Sequence, residues 1–293
     1  MFIVKHQFDD LKDITLRGVN KELYDQFTAF AKKAGAPTGI VFSDILIGYL
    51  HQPWRMHGSR RRHSLKHGVT PEKITDLDKL SVSKSDLIAA GESTMFLFRN
   101  IKELVFEKNV DAATLVKHVK MIHHCNTKFI GNIPKLIELG ITRRVREYTQ
   151  PSDTNLLTNI TIRNVSTKVY DEFVSKAKSE GFTTGEFFSK ILANILPFFE
   201  IRDVMLSLEN HEALIVSFEN QLLITKSDLE VLGNRKVIFY GIKQLEFAKD
   251  IDQNLFLKTV FKMVKCDEVI LPSNLPKLIV LSRTMMCKEI HHS

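Results

Sequence analysis

The chain has 293 residues, 44% of them hydrophobic and 26% charged, a balance expected of a soluble globular protein with two ordinary domains or four small ones. No apolar run is long enough to span a bilayer, and the start, MFIVKHQFDDLKD, has neither the charge order nor the apolar core of a signal peptide, so no membrane association is expected. The net charge of +7 is uneven: residues 1–150 carry 24 Lys/Arg against 16 Asp/Glu, and residues 151–293 carry 17 against 18, which suggests a polyanion met mainly by the first half.

In chain order, residues 1–12 form a lead-in. Residues 14–19, Ile-Thr-Leu-Arg-Gly-Val, alternate apolar and polar side chains as a half-buried strand does. Ile14 and Leu16 face one way, Thr15 and Arg17 the other. Asn20 can cap a helix over 21–34, with Glu22 and Asp25 near its positive end. Leu23, Phe27, Phe30, Ala31 and Ala34 give that helix one apolar stripe, and Gly35 ends it. A second helix begins near Thr38, with Phe42, Ile45, Leu46, Tyr49 and Leu50 facing inward.

The same order returns downstream. Residues 13–50 align with 159–196 at a constant offset of 146, without a gap, and 17 of the 38 positions are identical. Ile160 and Ile162 oppose Thr161 and Arg163 on the second strand. Ser166 is the expected cap, Val169, Phe173 and Ala177 form the stripe, and Gly181 is the stop. Thr183 with Glu186 makes a capping box before the last helix.

Between the two copies, His51–Gly68 is polar and basic, carries Arg55, Arg60, Arg61, Arg62 and Lys66, and reads as a loop beside the single Trp54. It is either an arm that tracks phosphates or a solvated connection. A further repeated stretch follows each helical segment. Ser83–Leu87 matches Thr225–Leu229, Ile101–Phe106 matches Ile242–Phe247, and Pro134–Ile137 matches Pro276–Ile279. With expected helices at 111–124 and 252–265 and short strands at 95–98 and 237–240, this is a small α/β module of strand-helix-strand order. Its Leu/Ile spacing bears a slight resemblance to leucine-rich repeats, on which nothing is built.

The fold class expected is therefore α+β with an internal duplication. The expected divisions are a first helical unit at 1–50, a basic linker at 51–81, an α/β module at 82–142, a linker at 143–158, a second helical unit at 159–196, a connection at 197–222 and a second α/β module at 223–293.

One strand, a helix of about four turns and another helix resemble the ribbon-helix-helix fold of the MetJ/Arc class of DNA-binding proteins. The resemblance covers 13–50 and 159–196. It rests on the strand pattern, the helix lengths, the glycine between the helices and the Thr-Gly start of the second. It implies two strands paired antiparallel in the major groove of double-stranded DNA. It further implies base reading by Thr15, Arg17, Thr161 and Arg163, and phosphate binding at Thr38, Gly39, Thr184 and Gly185. Arg55, Arg60, Arg61, Arg62 and Lys66 would add phosphate contacts. A tandem arrangement departs from the single unit that most members carry. Because each strand needs a partner for its edge and its apolar face, the two copies are expected to pair within one chain. Asp13 and Asn159 would then flank the readers differently, as would Gly18 and Asn164.

The expected function is thus sequence-specific DNA binding, as in a transcription regulator, with the α/β modules serving a homodimer or a protein partner. The alternatives are an interaction protein that uses the ribbon for assembly, and an RNA- or single-strand-binding protein that uses the basic loop. The absence of GxGxxG, Walker, HExxH and GxSxG patterns leaves no enzyme or cofactor expected. In the cluster His118, His123, His124 and Cys125, His118 and His123 stand five apart and share a helix face poorly, so no metal is expected there. Cys125, Cys266 and Cys287, odd in number and without CxxC spacing, suggest a reducing, cytoplasmic setting, nucleoid-associated in a prokaryote.

Overall fold

The computed structural model of the chain describes residues 10–51, 71–143, 148–206 and 213–292. The architecture is mixed α/β with parallel sheets. The chain enters two compact units alternately, one built within 1–62 and 145–203, the other within 63–144 and 204–293. No helix among the described residues is long and apolar enough to cross a membrane.

The chain first forms β1 (Leu11–Asn20), α1 (Lys21–Lys33) and α2 (Thr38–His51). It then runs through β2 (Glu72–Thr75), β3 (Lys79–Val82), α3 (Lys84–Ala89), β4 (Phe96–Arg99), β5 (Glu103–Phe106), α4 (Ala112–His118), β6 (Val119–His123), β7 (Thr127–Phe129), α5 (Lys135–Ile141) and β8 (Thr142–Arg143). Next come β9 (Leu157–Ser166), α6 (Thr167–Ser179) and α7 (Thr184–Leu206). The remainder is β10 (Ala213–Ser217), β11 (Gln221–Ile224), α8 (Lys226–Glu230), β12 (Lys236–Tyr240), β13 (Gln244–Phe247), α9 (Gln253–Thr259), β14 (Val260–Val264), β15 (Glu268–Leu271), α10 (Lys277–Arg283), β16 (Thr284–Met285) and β17 (Glu289–His292).

In the first unit β1 and β9 pair antiparallel, with Ile14 opposite Ile162, Thr15 opposite Thr161 and Leu16 opposite Ile160. The expected intrachain pairing is the one that forms. The alternation does what period two requires: Ile14, Leu16, Ile160 and Ile162 are buried, while Thr15, Arg17, Thr161 and Arg163 are exposed. Asn20 caps α1 by accepting the Leu23 N–H at 3.0 Å. Ser166, expected to do the same for α6, makes no side-chain cap. Gly35 and Gly181 follow α1 and α6 with positive φ, the conformation in which a helix stops. Below the ribbon the helices interlock across the two halves. The Phe27 ring on α1 meets Phe188 on α7 edge-on at 5.6 Å, and Phe173 on α6 meets Phe42 on α2 edge-on at 6.0 Å. Phe42 and Phe188 touch each other at 4.8 Å in the middle.

The second unit is a solenoid. Its strands lie in parallel sheets ordered β2-β4-β6-β8, β3-β5-β7, β10-β12-β14-β16 and β11-β13-β15-β17. The first strand of each coil starts at 72, 96, 119 and 142, then at 213, 236, 260 and 284, so a coil takes 21 to 24 residues between equivalent corners and contains strand, strand and helix. The corner between the two strands is a residue with positive φ in coil after coil: Asp76, Asn100, His124, then Phe218, Gly241, Lys265 and Met286. Helix starts are capped in matching ways. Ser83 with Asp86 and Thr225 with Asp228 form reciprocal capping boxes, and Asp111 and Asp252 accept N–H bonds one coil later. One apolar core, from Val82 to Val280, fills the interior. α5 lies on β10, where a Cβ on Gly140 would come within 2.9 Å of the Leu214 side chain. Arg235 donates to the Val116 carbonyl at 2.8 Å.

Several expected divisions are corrected. β2 and most of β3 fall inside the stretch 51–81 expected to be a basic linker, because Ile74 and Leu80 pack against the solenoid core. α7 and β10 occupy most of the expected connection 197–222, and β11 begins before 223. The expected helices 111–124 and 252–265 each divide into a short helix and a strand, α4 with β6 and α9 with β14. The chain must rejoin a parallel sheet once per coil, and the strand residues find backbone partners on β4 and β12. The module order is therefore strand-strand-helix.

Candidate nucleic-acid interface

The exposed face of the ribbon is set by two bulges. The register between β1 and β9 shifts between Lys12 and Ile14, and again between Leu16 and Val19. At these points Gly18 has φ of 69° and Asn164 has φ of 58°, the left-handed conformation of a bulge residue. Gly adopts it freely, and Asn tolerates it better than most residues. Each bulge is clasped from the opposite strand. The Asn159 Oδ1 accepts the Gly18 N–H at 3.1 Å, and the Asp13 Oδ1 accepts the Asn164 N–H at 3.2 Å. The two clasping residues, Asp13 and Asn159, are 146 apart in sequence, and so are the two bulge residues, Gly18 and Asn164.

The helices that flank the ribbon are pressed against it. A Cβ on Gly39, near the start of α2, would overlap the carbonyl oxygen of Arg163, and a Cβ on Gly185, near the start of α7, would overlap that of Arg17. A second reciprocal contact ties them. Ser43 of α2 accepts the Ser166 N–H at 3.1 Å, and Ser189 of α7 accepts the Asn20 N–H at 2.9 Å. Each hydroxyl donates to the carbonyl four residues back, Gly39 or Gly185.

The four expected base readers are thus brought together on one solvent-facing surface. Thr15 and Thr161 sit directly opposite each other at its centre. Arg17 and Arg163 are displaced from that centre along their own strands. The Arg163 side chain is 81% exposed, and its Nε lies 4.0 Å from Asp13 Oδ2. Lys12 pairs with Asp171 at 2.8 Å and lies over the Tyr170 ring. Thr38 and Thr184 are the half-exposed first residues of α2 and α7, beside the strands. Gly39 and Gly185 are buried, and their backbone approach to the strand accounts for both glycines without a ligand. Arg55, Arg60, Arg61, Arg62 and Lys66 lie outside the described residues. Comparison with protein-family models, with curated proteins and with solved structures found no match.

Further residues hold the ribbon in place beyond those expected to face a ligand. Gln150, expected in a linker, donates through Nε2 to the Gly18 carbonyl and is itself bonded by the Tyr148 hydroxyl at 2.6 Å. Burial pushes the Tyr148 phenol up, against hydrogen bonds to Ser189 and Asn20 that pull it down. No sequence signal marks this tie. Ser43 and Ser189 are identical between the aligned segments, a signal that was present, although their role appears only once both halves are assembled.

The histidine cluster belongs to the solenoid. His118 Nδ1 lies 3.0 Å from the Thr94 carbonyl, and His123 is buried with its ring edge-on to His124 at 4.1 Å. Burial, and secondarily the charges of His124 and Arg99, lower the His123 pKa to about 3.

Proposed function

We propose that the chain is a sequence-specific double-stranded DNA-binding protein, most simply a transcription regulator, that reads the major groove with the β1–β9 ribbon. On this reading its two strand-helix-helix segments are tandem ribbon-helix-helix units joined by an internal duplication. Each is followed by half of a solenoid that offers a surface for a partner. The observation that carries the reading is the ribbon's two-faced character. An apolar back is sealed on the phenylalanine core, while the front displays Thr15, Thr161, Arg17 and Arg163 together in solvent. A two-stranded ribbon fits the major groove, arginine bonds guanine O6 and N7 with two donors, and threonine bonds bases or touches the thymine methyl. The N-termini of α2 and α7 flank the strands, and the positive end of each helix dipole favours a phosphate on either side.

Selection of bound sequences from random duplex DNA tests the reading. One preferred site is expected, and Arg17→Ala and Arg163→Ala are expected to weaken it while the fold persists. Unchanged affinity and site preference in both variants would remove DNA reading by the ribbon.

A further inference from the structure

The two ends of the ribbon are alike in backbone and unlike in charge. Positions 13 and 159 do the same structural work, each taking the N–H of a bulge residue on the other strand at 3.1–3.2 Å. At one end the acceptor is the Asn159 amide, beside Gly18 and Arg17. At the other it is the Asp13 carboxylate, beside Asn164 and Arg163, and its second oxygen stands 4.0 Å from Arg163 Nε. The Arg163 end is therefore a neutral ion pair with carboxylate lone pairs to spare. The Arg17 end keeps a full positive charge, and its clasping neighbour adds an amide NH2 that the bulge does not use.

Resting on the DNA-binding reading above, we infer that a single chain recognises a non-palindromic duplex site. Arg17 is the dominant specificity-determining residue and takes guanine through O6 and N7. In the other half Asp13 holds Arg163 and accepts the amino group of cytosine, the pairing open to a carboxylate in the major groove. Thr15 and Thr161, identical and opposed, treat the centre of the site alike. The Asp13 carboxylate also repels the phosphates near its end, which biases the chain toward one orientation on the duplex.

The test compares sites selected from random duplex DNA by the full chain and by Asp13→Asn and Asn159→Asp. The fold is retained on either change, because each substituted side chain keeps the acceptor oxygen that the clasp uses at the mirror position. The native chain should select a non-palindromic site, and Arg17→Ala should cost roughly 5- to 150-fold in affinity for it, the range of one lost bidentate contact, with a smaller loss from Arg163→Ala. Asp13→Asn should tighten binding and drive selection toward a palindrome, and Asn159→Asp should weaken the Arg17 half. A native site that is already palindromic, with equal losses from the two arginine variants, would overturn the inference and leave DNA binding standing. Failure of the native chain to enrich any duplex sequence would overturn both.

Discussion

The buried hydroxyl of Ser43 accepts the backbone N–H of Ser166 at 3.1 Å, joining the second helix of one half to the strand end of the other. Ser189 makes the same bond to Asn20 at 2.9 Å. A serine at the sixth position of a helix thereby takes a donor that the ribbon pairing leaves over. Ser43→Ala strands the Ser166 N–H in a buried place, which costs about 1–3 kcal/mol, and Ser189→Ala removes the partner of the half-buried Asn20 N–H at a smaller cost. Urea unfolding of the single and double variants should show both losses, and a midpoint unchanged in the double variant would contradict the clasp.

Gly185→Ala should destabilise the protein by more than loss of a flexible glycine could stabilise it. A methyl group there overlaps the Arg17 carbonyl oxygen, so α7 must leave the strand or the strand must bend. Overpacking of this kind costs about 1–3 kcal/mol, occasionally more. The shift should appear in thermal unfolding, and because Arg17 rides on the displaced backbone, any DNA affinity should fall with it. Gly39→Ala is the matching change at Arg163.

On the DNA-binding reading proposed above, replacing Arg60, Arg61 and Arg62 with alanine should weaken binding nearly equally across DNA sequences. Each lost phosphate contact removes roughly 0.9 from the slope of log affinity against log salt concentration. Affinities measured between low and moderate salt check this. A slope equal to that of the native chain would make these three arginines bystanders.

His123 gives the solenoid an acid sensitivity. Its pKa is about 3 in the folded chain against an ordinary value of 6.5. The unfolded chain therefore binds the extra proton first as pH falls. The stability due to the neutral ring is fully present above about pH 6.5 and is lost between there and about pH 3, by up to about 1.4 kcal/mol per pH unit from this group. His123→Gln, which cannot titrate, should flatten that part of the stability–pH curve. An identical curve in the variant would rule out the histidine as its source.

The ribbon was legible in the sequence because its signal is local. Ile14, Leu16, Ile160 and Ile162 alternate with polar residues, and period two has one reading when a single face is buried. The aligned copy supplied the partner strand. The solenoid was harder to read, because a coil of strand, strand and short helix offers only a few residues at each period. Val119 to His123 continues the apolar spacing of α4 well enough to pass for helix, and only the β4 edge makes it a strand. Ile74 and Leu80 sit at the end of a basic stretch that masks their pattern, although they stand one coil before Phe98 and Leu104, which they pair with in the parallel sheets. Gly39 and Gly185 show the other limit. Their Thr-Gly sequence fits a phosphate site, but the strand carbonyls that demand glycine come from the opposite half of the chain. The charge difference between Asp13 and Asn159 was visible in the alignment, whereas its proximity to Arg163 depends on the bulge.

The alternation of the chain between its two units has a consequence for synthesis. β1 emerges complete, yet its partner β9 lies 146 residues later, beyond the whole first half of the solenoid. At about 5–20 residues per second the ribosome needs roughly 7–30 s to deliver it. Throughout that interval Ile14 and Leu16 lack the cover of β9, and the strand edge is open to β9 of a neighbouring chain that has not yet closed its own ribbon. Tethering favours the native pairing once β9 appears, but crowded polysomes and concentrated refolding mixtures reward the exchange of strands between molecules. Dilute conditions should therefore favour closure of each chain's own ribbon over exchange of strands between molecules.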